Sequence, residues 1–368
     1  MRVLLASSST GGHIYPALAI AGEVRARESD AEILFVSASW EIGKDIVGRN
    51  GYKQVFIDAE GFDRRRPWKI FSTLRSLISS SRQIKKIFRE FKPDVVVGTG
   101  GHVAGPVVRA ARKQGIHTFI QEQNVLPGLA NRLAERYADK VFIAFPEAEE
   151  HFKERDKLVV TGNPIRAEVF KTDKTKSRSA LGIPESATVV LIFGGSQGAT
   201  RINEVAVETM KKLDGENKYC FILITGSQLY DETQKFMKKS GVSENNNVRI
   251  LDYVESIAQY YAAADIIVSR AGASTISEIA TVGRASILVP SPNVVNNHQY
   301  YNAKALGDLG AALILNEDEI ADGGLAEKIE KITNESGMLD KMGAAAKKFS
   351  RPDAAKVIVD ELFGTRIS

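Results

Sequence analysis

The residues Asp265 to Glu278, reading DIIVSRAGASTISE, have the types and spacing to hold a nucleotide. The apolar run Ile266-Ile267-Val268 reads as a short strand and Gly272 breaks it. Ser274 and Thr275 are good N-cap residues for a helix that continues through Ala280. A helix that starts in such a turn aims unpaired backbone N–H groups and a partial positive charge at the occupant of the turn. Phosphate suits that place. Glu278, in or near the first turn, would repel a phosphate aimed at it. Its carboxylate suits two neighbouring sugar hydroxyls, such as those of a ribose.

Three more glycine loops follow apolar runs: Thr10-Gly11-Gly12-His13, Gly98-Thr99-Gly100-Gly101-His102 and Gly194-Gly195-Ser196-Gln197-Gly198. Each alone could be a tight turn chosen for backbone geometry; together, at strand ends, they read as ligand loops. His13 lies between a glycine pair and a helix start, so it can project into a site as a general base or merely cap and pack. Glu122-Gln123-Asn124, with Pro127-Gly128, offers polar side chains at a strand end that suit a hydroxyl-rich ligand or a turn. The other histidines show no close metal-ligand spacing, and the chain has no Asp-x-Asp metal clamp. A departing diphosphate would therefore rely on helix N-termini and cations such as Arg166 rather than on a metal. The Gly194 to Gly198 loop also fits a hydrolase nucleophile elbow, with Ser196, Asp265 and His298 in serine–acid–histidine order. That reading leaves the earlier glycine loops unexplained.

These loops need strands to hold them. Apolar runs at Val3–Ala6, Ile33–Val36, Asp94–Val97, Thr118–Gln121 and Lys140–Ala144 alternate with helical stretches, the first helix starting near Pro16. The alternation pauses near Thr161-Gly162-Asn163-Pro164, and the charged stretch Lys171–Arg178 reads as an exposed boundary. A second cycle follows, with strands at Val189–Phe193, Phe221–Thr225, Val248–Leu251, Asp265–Ser269 and Ser286–Val289, and helix from Leu325 to Leu362. The expected fold is α/β, with two Rossmann-like doubly wound parallel sheets facing across a cleft. Ligands in such folds bind beyond the carboxyl ends of the strands.

A chain of 368 residues can bury two cores, and no apolar run approaches the length of a membrane span. Cys220 is the only cysteine, which excludes a disulfide framework and fits a reducing cytoplasm. The net charge of +4 is unevenly spread: Phe62 to Lys92 holds ten basic residues against two acidic ones, so the remainder is net negative. From Leu77 to Phe91 the spacing predicts a helix with an apolar stripe on the core and a solvated basic face. In Phe62, Arg64, Arg65, Arg66, Trp68, Lys69, Ile70 and Phe71, aromatic and apolar residues beside an arginine run read as a seat on an anionic membrane surface. No nucleic-acid-binding module accompanies the patch.

Several motifs together resemble the MurG family of peptidoglycan glycosyltransferases. They are Ser9-Thr10-Gly11-Gly12-His13 with Pro16, Gly100-Gly101 with Gly105-Pro106, Glu122-Gln123-Asn124 with Pro127-Gly128, Gly162 to Arg166, Gly194 to Ala199, Arg270 to Glu278, and His298-Gln299 with Asn302-Ala303. The resemblance covers nearly the whole chain. It implies the GT-B fold and inverting transfer of N-acetylglucosamine from UDP-GlcNAc to the C4 hydroxyl of the muramoyl sugar of lipid I, forming lipid II. It implies no cofactor. On matching positions, Thr10, Gly11 and Gly12 would approach a diphosphate and His13 would be the base. Asn124 would contact the donor sugar, with Arg166 and Ser196 near its diphosphate. Val254 would read uracil. Ala273, Ser274, Thr275, Ile276, Ser277 and Glu278 would hold the nucleotide, and Gln299 would read the sugar hydroxyls. The resemblance implies an acceptor and membrane domain of residues 1–164, joined by a returning helix 351–368, and a donor domain of residues 165–350. It places the chain peripherally on the cytoplasmic face of the cell membrane, beside other cell-wall synthesis or division proteins. A related transferase acting on another lipid, or a nucleotide-sugar-binding scaffold, would use the same loops. The chain departs from the family pattern at Ser7-Ser8, Arg64-Arg65-Arg66, His102 and Asn297.

Overall fold

The computed structural model describes residues 1–8, 10–39, 44–59, 70–195, 197–213, 218–320 and 323–365, with the side chains of 44–45 and 70–78 excepted. The chain divides into two compact units, Met1–Arg166 with Arg351–Ser368, and Ala167–Ser350.

The first unit runs β1 (Arg2–Ser7), α1 (Gly11–Arg27), β2 (Glu32–Ala38), α2 (Lys44–Arg49), β3 (Lys53–Ile57), α3 (Ile70–Phe91), β4 (Val95–Gly100), α4 (Gly101–Arg112), β5 (His117–Glu122), α5 (Leu129–Ala134), β6 (Lys140–Ile143) and β7 (Leu158–Val160). Its seven strands lie in the order β3-β2-β1-β4-β5-β6-β7, each pair parallel. Strands such as Val95-Val96-Val97 are buried on both faces, which is why they read as unbroken apolar runs. The chain order reverses between β1 and β4, and the loops leaving these two strands flank that switch point.

The second unit runs α6 (Lys174–Ala180), β8 (Thr188–Phe193), α7 (Thr200–Lys212), β9 (Tyr219–Ile224), α8 (Tyr230–Ser240), β10 (Val248–Leu251), α9 (Ala258–Ala263), β11 (Ile266–Ser269), α10 (Ala273–Val282), β12 (Ala285–Leu288), α11 (His298–Gly307), β13 (Ala312–Ile314), α12 (Gly324–Asn334) and α13 (Met338–Phe349). Its six parallel strands lie in the order β10-β9-β8-β11-β12-β13, with the switch between β8 and β11. The last helix, α14 (Ala354–Gly364), belongs to the first unit. It buries Ile358, Val359 and Leu362 in the core that α1 shares, and its Asp360 and Glu361 pair with Arg27 and Lys140 at 2.5 Å.

Three strands had no strong signal in the sequence. β3, β7 and β13 all stand at sheet edges. An edge strand meets a neighbour on one side only, so it can be short and half-exposed, as Lys53-Gln54-Val55 and Leu158-Val159-Val160 are. Helix α1 begins at Gly11, not near Pro16. Pro16 sits inside it and forgoes one backbone bond toward Gly12. The stretch Lys171–Arg178, expected as an exposed boundary, is exposed at Lys171, Asp173, Thr175 and Lys176 but buried at Ser177 and Arg178. It carries most of α6, and Arg178 is 5% exposed, donating to Asp265 Oδ2 at 2.5 Å and to Ala263 O at 3.0 Å. Burial pulls the nearby Arg284 guanidinium below its ordinary range, an effect Asp265 opposes. Over its described side chains α3 matches the expected stripe: Ile84 and Phe88 are buried while Arg82, Lys85, Lys86 and Arg89 are exposed. Burial also pushes the Cys220 thiol up, as expected for an inert core cysteine.

Candidate active site

In the first unit the site is built from the loops after β1, β4 and β5, which are neighbouring strands. His13 is in the first turn of α1, whose N-cap is Thr10. Its Nδ1 lies 2.9 Å from Gln123 Oε1, and its carbonyl accepts from Thr99 Oγ1 at 2.9 Å. The second glycine loop makes room for this ring. Gly100 has φ +119, and a Cβ placed on it would stand 2.6 Å from His13 Nδ1. The glycine at 100 is thus needed by the histidine, whatever ligand binds; spacing alone could not link residues so far apart in the chain.

Glu122, Gln123 and Asn124 were expected to suit a hydroxyl-rich ligand or a turn, and they divide between roles. Glu122 is buried; its Oε1 accepts from Asn124 N at 2.9 Å and Asn124 Nδ2 at 3.1 Å. Its Oε2 accepts from Gly128 N at 3.0 Å and Asn131 Nδ2 at 2.8 Å. The carboxylate therefore folds the loop and sets Asn124, which is half-buried. Gln123 is buried and serves His13. Arg166 lies with its guanidinium 5.0 Å from the ring centre of Tyr15, on α1. Thr10 and Gly12 are exposed, and Gly11 is half-buried. His102 is exposed at the start of α4.

In the second unit the loops after β8, β11 and β12 stand side by side, again at carboxyl ends. Helix α10 starts at Ala273 with Gly272 as N-cap, so Ser274 and Thr275 lie inside the first turn rather than capping it. The extended backbone at Gly272 makes the cap without a side-chain bond. Ser277 turns its hydroxyl back to Ala273 O at 3.0 Å, and Ile276 and Ala273 are buried. Glu278 falls in the second turn, not the first. It is 3% exposed, and Tyr261 donates to its Oε2 at 3.1 Å. Arg270 reaches the carbonyls of Val289 and Pro290 and pairs with Glu317 at 2.6 Å, tying the β11 and β12 loops together. Gln299, in the first turn of α11, accepts from Ser291 N at 2.9 Å. Asn296 and Asn297 precede that helix in left-handed conformation, at φ 56 and 52, which asparagine tolerates better than most residues. Val254 is half-exposed in the loop after β10.

In the Gly194 to Ala199 loop, Gly194 and Gly198 are required by packing, while Gly195 is required by its left-handed φ of +98. A Cβ on Gly198, at φ +77, would stand 2.0 Å from Thr225 O, so this loop and the one after β9 touch backbone to backbone. Ser196, Phe62, Arg64, Arg65, Arg66, Trp68 and Lys69 lie outside the described residues, as do the side chains of Ile70 and Phe71. The hydrolase arrangement fails on topology. Asp265 precedes β11, whereas the elbow follows β8; the two strands are parallel and pair Ser269 with Phe193. The acid is therefore at the opposite end of the sheet, engaged by Arg178, Lys174 and the Val189 N–H. His298 Nδ1 lies 2.9 Å from Val295 O. Among the described residues no group of three or more His, Cys, Asp and Glu could hold a metal ion.

The sequence matches the glycosyltransferase family 28 N-terminal domain over residues 3–143 and the family 28 C-terminal domain over residues 189–358. It is 44% identical over 355 residues to the UDP-N-acetylglucosamine–N-acetylmuramyl-(pentapeptide) pyrophosphoryl-undecaprenol N-acetylglucosamine transferase of Caldanaerobacter subterraneus, spanning 96% of this chain and 97% of that one. The transferase of the same name from Caldicellulosiruptor saccharolyticus is 39% identical over 97% of this chain and 96% of its own. The crystal structure of Acinetobacter baumannii MurG superposes with a TM-score of 0.76 at 27% identity, covering 99% of this chain and 100% of that one. The fold, the paired domain matches and the full-length identity agree: the chain belongs to glycosyltransferase family 28, among the UDP-N-acetylglucosamine–N-acetylmuramyl-(pentapeptide) pyrophosphoryl-undecaprenol N-acetylglucosamine transferases.

Proposed function

We propose that this chain transfers N-acetylglucosamine from UDP-GlcNAc to the C4 hydroxyl of the muramoyl sugar of lipid I, with inversion at the anomeric carbon and release of UDP. The observation that carries the reading is full-length identity to transferases of that name, joined to a half-exposed histidine in the first turn of α1. His13 takes the acceptor proton as the hydroxyl attacks the anomeric carbon from the face opposite UDP. The second unit holds the donor: the N-terminus of α10 meets phosphate, Glu278 takes the ribose hydroxyls and Gln299 the sugar hydroxyls. Val254 reads uracil through its backbone. Thr10, Gly11 and Gly12 approach a diphosphate, and Arg166 and Ser196 offset its charge. Asn124 contacts the donor sugar. No metal takes part, a reading drawn from the missing Asp-x-Asp clamp.

The acceptor carries a lipid, so the first unit works at a membrane surface. Among the described residues no helix is long and apolar enough to cross a membrane. The stretch Phe62 to Lys92 supplies aromatic and basic residues, and α5 adds Leu129 and Leu133, 46% and 59% exposed and one turn apart beside Arg132 and Arg136. That combination favours an anionic lipid surface.

The test is incubation with UDP-GlcNAc and a lipid I analogue, with and without chelator, measuring UDP release and product stereochemistry. An inverted product formed equally with chelator is expected. Transfer only to a different lipid acceptor, or a product of retained configuration, would overturn the assignment.

A further inference from the structure

We propose that Gln123 is a positioning residue for His13, holding the hydrogen of the neutral imidazole on Nδ1 and so placing the lone pair on Nε2. The proposal rests on the reading of His13 as the base.

Gln123 is 1% exposed. Its Nε2 lies 2.6 Å from Thr99 O, 3.1 Å from Gln121 O and 2.6 Å from Gln121 Oε1. Main-chain carbonyls only accept, so the amide must present its nitrogen to them. The amide oxygen is thereby turned to His13 Nδ1, at 2.9 Å. That oxygen also only accepts, so Nδ1 must donate. A neutral imidazole has one N–H and one basic nitrogen; with the hydrogen on Nδ1, the basic atom is Nε2.

Two more buried amides lock the first. Gln121 Nε2 donates to Glu122 O at 3.2 Å and to Asn163 Oδ1 at 3.0 Å, and Asn163 Nδ2 donates to Gln123 O at 3.1 Å. Each of the three amides is thus oriented by a main-chain carbonyl, and flipping any one sets acceptor against acceptor. The relay reaches from the loop after β5 to the Gly162-Asn163-Pro164 segment. The carboxylate nearest in sequence, Glu122, is turned away to Asn124, Gly128 and Asn131. In hydrolytic triads a carboxylate sets the histidine tautomer and also steadies its charge. Here a neutral amide sets the tautomer without adding charge.

The test is long-range nitrogen–proton NMR on the full-length enzyme with labelled histidine, the His13 signals being identified by their loss in His13→Asn. In the wild type the neutral ring should carry its hydrogen on Nδ1. Gln123→Met has similar length and no strong acceptor. It should move the hydrogen mainly to Nε2 and lower kcat about 10- to 100-fold, while KM for UDP-GlcNAc changes less than about twofold. Gln123→Glu keeps an acceptor toward Nδ1 if its other oxygen carries the carboxyl proton toward Thr99 O, and should then keep Nδ1–H, with more turnover than Gln123→Met. A wild-type ring carrying its hydrogen on Nε2, or an unmoved tautomer in Gln123→Met, overturns the proposal and leaves the base reading standing. A switched tautomer with unchanged turnover overturns the positioning role; if His13→Ala also turns over normally, the base reading falls with it. Should Gln123→Met fail to fold, the wild-type tautomer and Gln123→Glu still decide.

Discussion

The two units use one fold in two ways. At the switch point of the first sheet, the loops after β1 and β4 present a side chain, and buried amides behind it set its orientation. At the switch point of the second sheet, the loop after β8 lies backbone to backbone on the loop after β9, and side chains such as Arg270 and Tyr261 tie the frame. Proton transfer needs a titratable group held in one orientation, which a rigid polar relay supplies. Binding a charged nucleotide needs many donors at once, which helix N-termini and close-packed glycine loops supply. On the proposed function, the same glycine-rich appearance therefore hides two jobs. Gly100 clears space for an imidazole, while Gly198 lets one loop lie on the carbonyl of another.

Four substitutions would break or sharpen that contrast. His13→Ala should lower turnover on the order of 10²–10⁴-fold with donor affinity kept, and near-normal turnover would end the division of labour. Asp265→Ala, at the opposite end of the second sheet, strips the partner from buried Arg178. It should cost roughly 3–5 kcal/mol in denaturant unfolding and leave donor affinity in the surviving folded protein unchanged. Gly100→Ala pushes a methyl into the imidazole of His13. Turnover should fall about 100-fold while calorimetric UDP affinity stays the same, since the second unit is untouched. Glu278→Ala should do the reverse: UDP affinity weakens about tenfold or more, and the His13 tautomer does not move. Unchanged affinity by calorimetry would refute the ribose role.

Much of the fold was legible because central parallel strands are buried on both faces. Val95-Val96-Val97 and Val189 to Phe193, each running into a glycine loop, could hardly be anything else. Three of the four edge strands, Lys53–Ile57, Leu158–Val160 and Ala312–Ile314, were not legible, because a short, half-exposed strand need not show such a run. Helix starts were misplaced where glycine backbone, not a serine or threonine side chain, makes the cap, as at Gly272. Buried polar residues misled most. Glu122 and Gln123 left a ligand role and a turn role both open, and Arg178 read as solvated, yet each is satisfied inside the protein.

From its residues alone, this chain's two doubly wound sheets could be read, because burial pattern and glycine placement are local properties, and its family by the resemblance of its motifs. Which side chains meet in those loops was decided by tertiary structure. His13, Gly100 and Gln123 are brought together by strands β1, β4 and β5 lying side by side. The orientation of an imidazole depends on an amide 110 residues away, and no periodicity in the sequence carries that information.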